Sequence, residues 1–102
     1  MKLVRNKIPN IIRANGKTPV CYEAKKPEYE SRLLDKMIEE LEEFRENPCL
    51  EEAADMWEVL ETICTHWGWK PNEVADAALQ KKKARGGFDQ GFVLVEVKNE
   101  NE

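Results

Sequence analysis

Two short stretches limit what this chain can fold into. Lys36-Met37-Ile38-Glu39-Glu40-Leu41-Glu42-Glu43 is followed, after Asn47-Pro48, by Glu51-Glu52-Ala53-Ala54-Asp55. Both read as acidic amphipathic helices, and Asn47-Pro48 reads as the tight turn between them. Glu43 lies four residues before Asn47 and Glu52 five after it. In an antiparallel helix pair the two therefore stand at about the same height, roughly one 5.4 Å turn from the loop. Glu40 and Asp55 each lie three residues further out, on the same flanks. Four carboxylates from facing helices thus converge on one small volume. Bare, they repel one another; a divalent cation would remove the repulsion and supply chemistry.

The rest of the chain is read around that pair. Pro27 opens its first helix, which runs to about Glu46, with Leu33, Leu34, Met37, Ile38, Leu41 and Phe44 in one stripe. Lys36, Glu40 and Glu43 line a flank of that stripe. Asn47 is expected to cap the next helix, with Pro48 at its first position. Its stripe is Ala53, Trp57, Leu60, Cys64 and Trp67, with Glu52 and Asp55 off that stripe and Trp57 packed inside the pair. Gly68 ends it. Before the pair, a basic lead segment (Met1 to Ile8) precedes a short helix that starts near Pro9 and stops at Asn15-Gly16. After the pair, Pro71 opens a fourth helix, with Val74, Ala75, Ala78 and Leu79 inward and Gly86-Gly87 as its stop. Thr18 to Tyr22 and Phe92 to Val97 read as strands. Their pairing gives a small β-ribbon from the N- and C-terminal segments. The expected fold is all-α: a compact four-helix bundle plus that ribbon, one domain over residues 1–98, and a flexible tail over 99–102.

Composition narrows the function. The 102 residues carry 16 basic and 20 acidic side chains, a formal net charge of -4. No basic footprint for a nucleic acid polymer follows. No apolar run approaches membrane-spanning length, and Met1-Lys2-Leu3-Val4-Arg5 is no apolar signal segment. Cys21, Cys49 and Cys64 form neither a disulfide framework nor a zinc motif. A cytoplasmic protein with reduced thiols is the simplest expectation.

Hard oxygen ligands favour Mg²⁺, with Mn²⁺ as a substitute, over zinc. Mg²⁺ is usually held by a few carboxylates together with waters and substrate phosphates, so such a site suits a nucleotide polyphosphate. The ordinary fate of Glu-rich helices is a solvated acidic face; the matched heights and the paired i, i+3 spacing favour the metal site. Arg5 and Lys7 in the lead segment, Lys36, and Lys83 and Arg85 late in the fourth helix are candidate phosphate contacts. Cations at a helix C-terminus also stabilise the helix dipole without any ligand. His66 and Ser31 have no neighbouring groups that would make a catalytic triad.

At these residues the chain resembles a known group. Glu39-Glu40-Leu41-Glu42-Glu43 matches E-E-x-x-E, and Glu52-Ala53-Ala54-Asp55 matches E-x-x-D. Together they resemble the all-α nucleoside triphosphate pyrophosphohydrolases, which include MazG, the dimeric dUTPases and phosphoribosyl-ATP pyrophosphohydrolase. Val4-Arg5-Asn6-Lys7-Ile8-Pro9 and Lys83-Ala84-Arg85-Gly86-Gly87-Phe88 are similar to flanks of the small phosphoribosyl-ATP pyrophosphohydrolase-like, house-cleaning subgroup. The gap between Glu43 and Glu52 is shorter than in many members of the superfamily. The resemblance implies Mg²⁺-dependent cleavage between the α and β phosphates, giving a monophosphate and pyrophosphate. It implies Glu40, Glu43, Glu52 and Asp55 as metal ligands, Glu39 and Glu40 as catalytic carboxylates, and Lys83 and Arg85 as phosphate contacts. It also implies a homodimer or higher assembly. Two alternatives stay open: a phosphoribosyl-ATP step of histidine synthesis, and a non-enzymatic helical module that docks a basic partner. One metal ion or two remains open as well.

Overall fold

A computed structural model describes residues 1–100. It contains four helices: α1 (Ile8–Ala14), α2 (Glu28–Glu46), α3 (Leu50–His66) and α4 (Pro71–Arg85). The chain divides into two compact units, one from Met1 to Trp69 and one beginning at Lys70. No strand occurs among the described residues, so the protein is all-α and the expected ribbon is absent. Val20 is 98% exposed and Val95 89%. A two-stranded ribbon is marginal without a surface to dock on, and neither segment buries its apolar side chains. Of the expected tail, residues 101–102 lie outside the described residues.

In the first unit, α2 and α3 form the expected antiparallel hairpin. Pro27 precedes the first helical residue of α2. At the turn, Asn47 closes α2, its backbone N–H donating to the Glu43 carbonyl at 3.0 Å. It does not cap α3. Cys49, in extended conformation, holds that position, and α3 begins at Leu50. The turn is therefore longer than expected, and Glu52 falls in the first turn of α3. There the unpaired N–H groups favour a carboxylate.

The stops were legible. After α3, the Trp69 N–H donates to the Cys64 carbonyl at 2.8 Å and the Gly68 N–H to the Thr65 carbonyl at 3.0 Å. That is the Schellman arrangement, which needs a residue in left-handed conformation; Gly68 supplies it at φ +88°. Gly16 ends α1 in the same way, with Lys17 and Gly16 donating to Ile12 and Arg13.

The faces are rotated from expectation. Leu33 and Cys64 are buried, and so is Glu40. Met37, Phe44, Met56, Val59 and Ile63 are half-buried. Leu34, Ile38 and Leu41 instead stand about half exposed, and Trp57 is 63% exposed. The Trp57 indole N–H donates to Glu61 at 2.7 Å across one turn of α3. Trp57, Leu60 and Trp67 thus form an outer row, while Glu52 and Asp55 share the half-buried face with Met56 and Val59. The wheel favoured the apolar side chains; Glu52 and Asp55 took the inner face in their place. In the second unit, α4 half-buries Val74 but leaves Ala75, Ala78 and Leu79 exposed.

The lead segment is strapped onto the hairpin. The Arg32 guanidinium donates to the Met1 carbonyl at 3.2 Å, Lys2 pairs with Glu39 at 3.6 Å and Arg5 with Asp55 at 2.7 Å. Before α2, Tyr22 donates to Glu28, which also pairs with Arg32 at 3.1 Å. The Tyr22 hydrogen bond, with Arg32 behind it, holds the Glu28 carboxyl below the ordinary carboxylate range.

Leu33 is the largest fully buried side chain. Leu33→Ala is expected to cost about 2–5 kcal/mol, whereas Phe92→Ser, at an exposed position, should stay within about 0.5 kcal/mol. Urea unfolding of both variants checks the contrast.

Candidate metal centre

The hairpin brings all four expected ligands together. Glu40, Glu43, Glu52 and Asp55 each place a carboxylate oxygen within 4.8 Å of all the others. Octahedral Mg²⁺ with bonds of about 2.0–2.1 Å spans about 4.2 Å between opposite ligands. Adjacent ligands of such an ion stand about 2.9 Å apart, so the four carboxylates would draw closer together on binding one.

Glu43 is exposed, but the burial of Glu40 and Glu52 argues for more than a solvated face. Glu40 is 5% exposed, and its Oε2 is buried with no hydrogen-bond partner. Glu52 Oε2 is in the same condition. An unsatisfied buried carboxylate oxygen costs free energy that a cation would recover. Both atoms belong to the convergent cluster, so the donor set fits a hard divalent cation by position and by chemistry.

Electrostatics tell the same story. Burial pushes the Glu40 carboxyl above the ordinary value; Lys36 opposes the shift, and the nearby charges of Glu43 and Asp55 reinforce it. Burial by itself would lower the Lys36 ammonium, but its pairs with Glu40 at 3.2 Å and Glu39 at 3.3 Å hold it above the ordinary lysine value. Lys36 is thus a positive charge fixed at the rim of the cluster.

Other expected site residues are placed as follows. Glu39 is half-buried beside the cluster, between Lys36 and Lys2. Arg5 reaches Asp55 directly. Lys7 lines a cavity of about 560 Å³ between the lead segment and the hairpin, as do Arg5 and Lys36. Lys83 and Arg85 belong to the second unit, in the last turn of α4, where cations favour the helix end. His66 ends α3 half-buried; its Nε2 lies 2.9 Å from Glu30 and its ring meets Tyr29 edge-on.

Sequence reasoning missed Tyr29, Glu58 and Thr62, which also line the cavity. Tyr29, Leu33, Lys36 and Glu40 follow the i, i+4, i+7, i+11 spacing of one helix face, so Tyr29 was recoverable. Glu58 and Thr62 look like ordinary surface positions until the lead segment lies over them.

Among the described residues, no helix is long and apolar enough to cross a membrane. No protein-family model, curated protein or solved structure matches the chain.

Ionising Glu40 works against folding in the absence of a cation, because its carboxyl is held above the ordinary range. That cost is missing below the ordinary carboxylate range and complete above the raised value. Glu40→Gln should therefore raise the thermal midpoint of metal-free protein at neutral pH. Mg²⁺ should raise the wild-type midpoint more than the variant's. Calorimetric melting with and without EDTA reads both effects.

Proposed function

We propose that this chain is a Mg²⁺-dependent nucleotide pyrophosphohydrolase that cleaves a nucleoside triphosphate between the α and β phosphates. The observation that carries the reading is the pair of unpartnered, buried carboxylate oxygens on Glu40 and Glu52. They sit in a four-acid cluster with Arg5 and Lys36 at its edge. A lone acidic cluster asks only for a cation. A cluster bordered by fixed cations suits a cation that carries anionic phosphate. The resemblance of Glu39–Glu43 and Glu52–Asp55 to the all-α pyrophosphohydrolases supports the same assignment, and nucleotide-pool clean-up in the cytoplasm is the role it suggests.

Glu40, Glu43, Glu52 and Asp55 would hold Mg²⁺ or Mn²⁺. Such an ion supplies charge neutralisation at phosphate oxygens and a more acidic water. The chain's own groups do the rest. Glu39, next to the cluster and outside the ligand set, orients the attacking water and takes its proton. The water oxygen bonds to the α phosphorus, and the bond from that phosphorus to the bridging oxygen breaks. Arg5 and Lys36 offset the charge that builds on the departing pyrophosphate; Lys7 is a further candidate phosphate contact.

A panel of standard and damaged nucleoside triphosphates, assayed with Mg²⁺ and with EDTA, tests the reaction. Metal-dependent release of pyrophosphate with a monophosphate product is expected. Glu40→Gln and Asp55→Asn should each abolish turnover while helicity is kept. Orthophosphate with a diphosphate product contradicts the assignment. Silence on the panel with activity on phosphoribosyl-ATP would move the substrate to histidine synthesis. Silence on both, with the protein folded, would favour a docking module.

The same reading includes a homodimer. On the outer side of α3, Leu50, Trp57 and Leu60 recur in steps of seven and three, and Trp67 follows seven residues on, spacings of a helix–helix seam. Leu50 is 81% exposed and Leu60 43%. A second copy offers an identical row, and an isologous contact would cover both. Light scattering across micromolar concentrations should return at least twice the 11.9 kDa chain mass; a steady monomer mass would refute the dimer.

A further inference from the structure

The cavity between the lead segment and the hairpin has features that phosphate binding alone does not require. We infer that it holds the nucleoside half of the substrate, with the base at the end formed by Tyr29 and Thr62. This rests on the nucleotide reading above and adds to it the place and the chemistry of the base.

Position comes first. Arg5 and Lys36 line the cavity, and the same two side chains pair with Asp55 and Glu40 of the carboxylate cluster. They mark a seam where cluster and cavity meet. The cavity offers a polyphosphate neutralised at that seam a sheltered place for its remaining atoms.

Size agrees. Along α3 the cavity is lined from the turn after Asp55 out to Thr62, seven residues beyond Asp55, or roughly 10.5 Å at 1.5 Å per residue. That is room for a sugar and a base in line. The volume of about 560 Å³ lies within the roughly 300–1,000 Å³ range of small-molecule sites.

Chemistry separates the two ends. Near the cluster the lining includes the cations Arg5 and Lys36. In the middle it is apolar, with Leu33, Val59 and Ile8, a surface that a further phosphate would not use. Toward the far end stand Thr62 and Tyr29; Glu58, one turn beyond Asp55, lines the end near the cluster. The Thr62 hydroxyl donates to the Glu58 carbonyl at 2.9 Å, which leaves its oxygen lone pairs as acceptors. An acceptor there takes hydrogen bonds from N–H groups. The ring of Tyr29 is held in place by its edge contact with His66, centroids 5.1 Å apart, and offers an aromatic surface to a planar ligand. A flat, neutral ring system bearing N–H donors at its edge, tethered to a polyphosphate, satisfies every part of the lining.

Equilibrium binding tests this without turnover. The probes are the α,β-methylene analogues of the four common ribonucleoside triphosphates, which cannot be cleaved at that position, and inorganic tripolyphosphate, each titrated calorimetrically with Mg²⁺. At least one analogue is expected to bind tenfold or more tightly than tripolyphosphate. Val59→Phe and Thr62→Phe, which put bulk into the middle and far end of the cavity, should collapse that advantage to about twofold or less. Thr62 is partly exposed, so its variant keeps the test open should Val59→Phe fail to fold. The inference is overturned if no analogue outbinds tripolyphosphate, or if a folded variant keeps the full advantage. A cavity preference found together with no hydrolysis of the natural triphosphates would sink the proposed reaction and leave the nucleoside site standing.

Discussion

The structure depends on a conflict at the centre of the α2–α3 hairpin. The helix face that buries Leu33 also buries Glu40, and the facing side of α3 brings Glu52 and Asp55 to the same depth as Met56 and Val59. Packing draws the helices together, while the carboxylates at the turn end push them apart. Lys36 and Arg5 offset part of that repulsion from the rim. They do not reach Glu40 Oε2 or Glu52 Oε2, which stay without partners. A fold assembled for stability alone would put leucine or methionine there. Two buried acceptors without donors are a cost that ligand binding can repay.

Much of this was legible in the sequence. The heights of Glu43 and Glu52 about the Asn47-Pro48 turn depend only on helix rise and residue count. The cluster therefore survived the error in placing the α3 cap, because shifting a cap by a residue or two leaves the helix phase unchanged. The stops at Gly16 and Gly68 were equally local, since a left-handed residue at a helix end has few substitutes. The rotation of the faces was not legible. A wheel assigns the inner side to the most apolar arc, which on α3 includes Trp57 and Leu60. The acidic residues of the site displaced that arc, as functional sites often override local preference. The C-terminal run from Phe92 to Val97 has strand-like residues, but β-propensity is realised only against neighbours.

The lead segment links fold to proposed chemistry. Its residues are individually unremarkable, and composition marks them only as basic. Once strapped by Lys2 to α2 and by Arg5 to α3, they turn one side of a helix pair into a walled cavity. Cations then stand at one end and the Tyr29 ring at the other. Neither of the long-range pairs that achieve this, Arg5 with Asp55 and Lys2 with Glu39, follows any sequence spacing.

The central claim is that the four-carboxylate cluster binds a divalent cation. The most direct measurement is a Mn²⁺ titration followed by electron paramagnetic resonance, in which the sharp signal of the free ion disappears on binding. The wild-type protein should remove at least one Mn²⁺ per chain at micromolar concentrations. Mg²⁺ should compete for the site, and Glu52→Gln should weaken binding at least tenfold. Mn²⁺ that stays free beside folded wild-type protein at millimolar concentrations, or that binds Glu52→Gln equally well, would contradict the account.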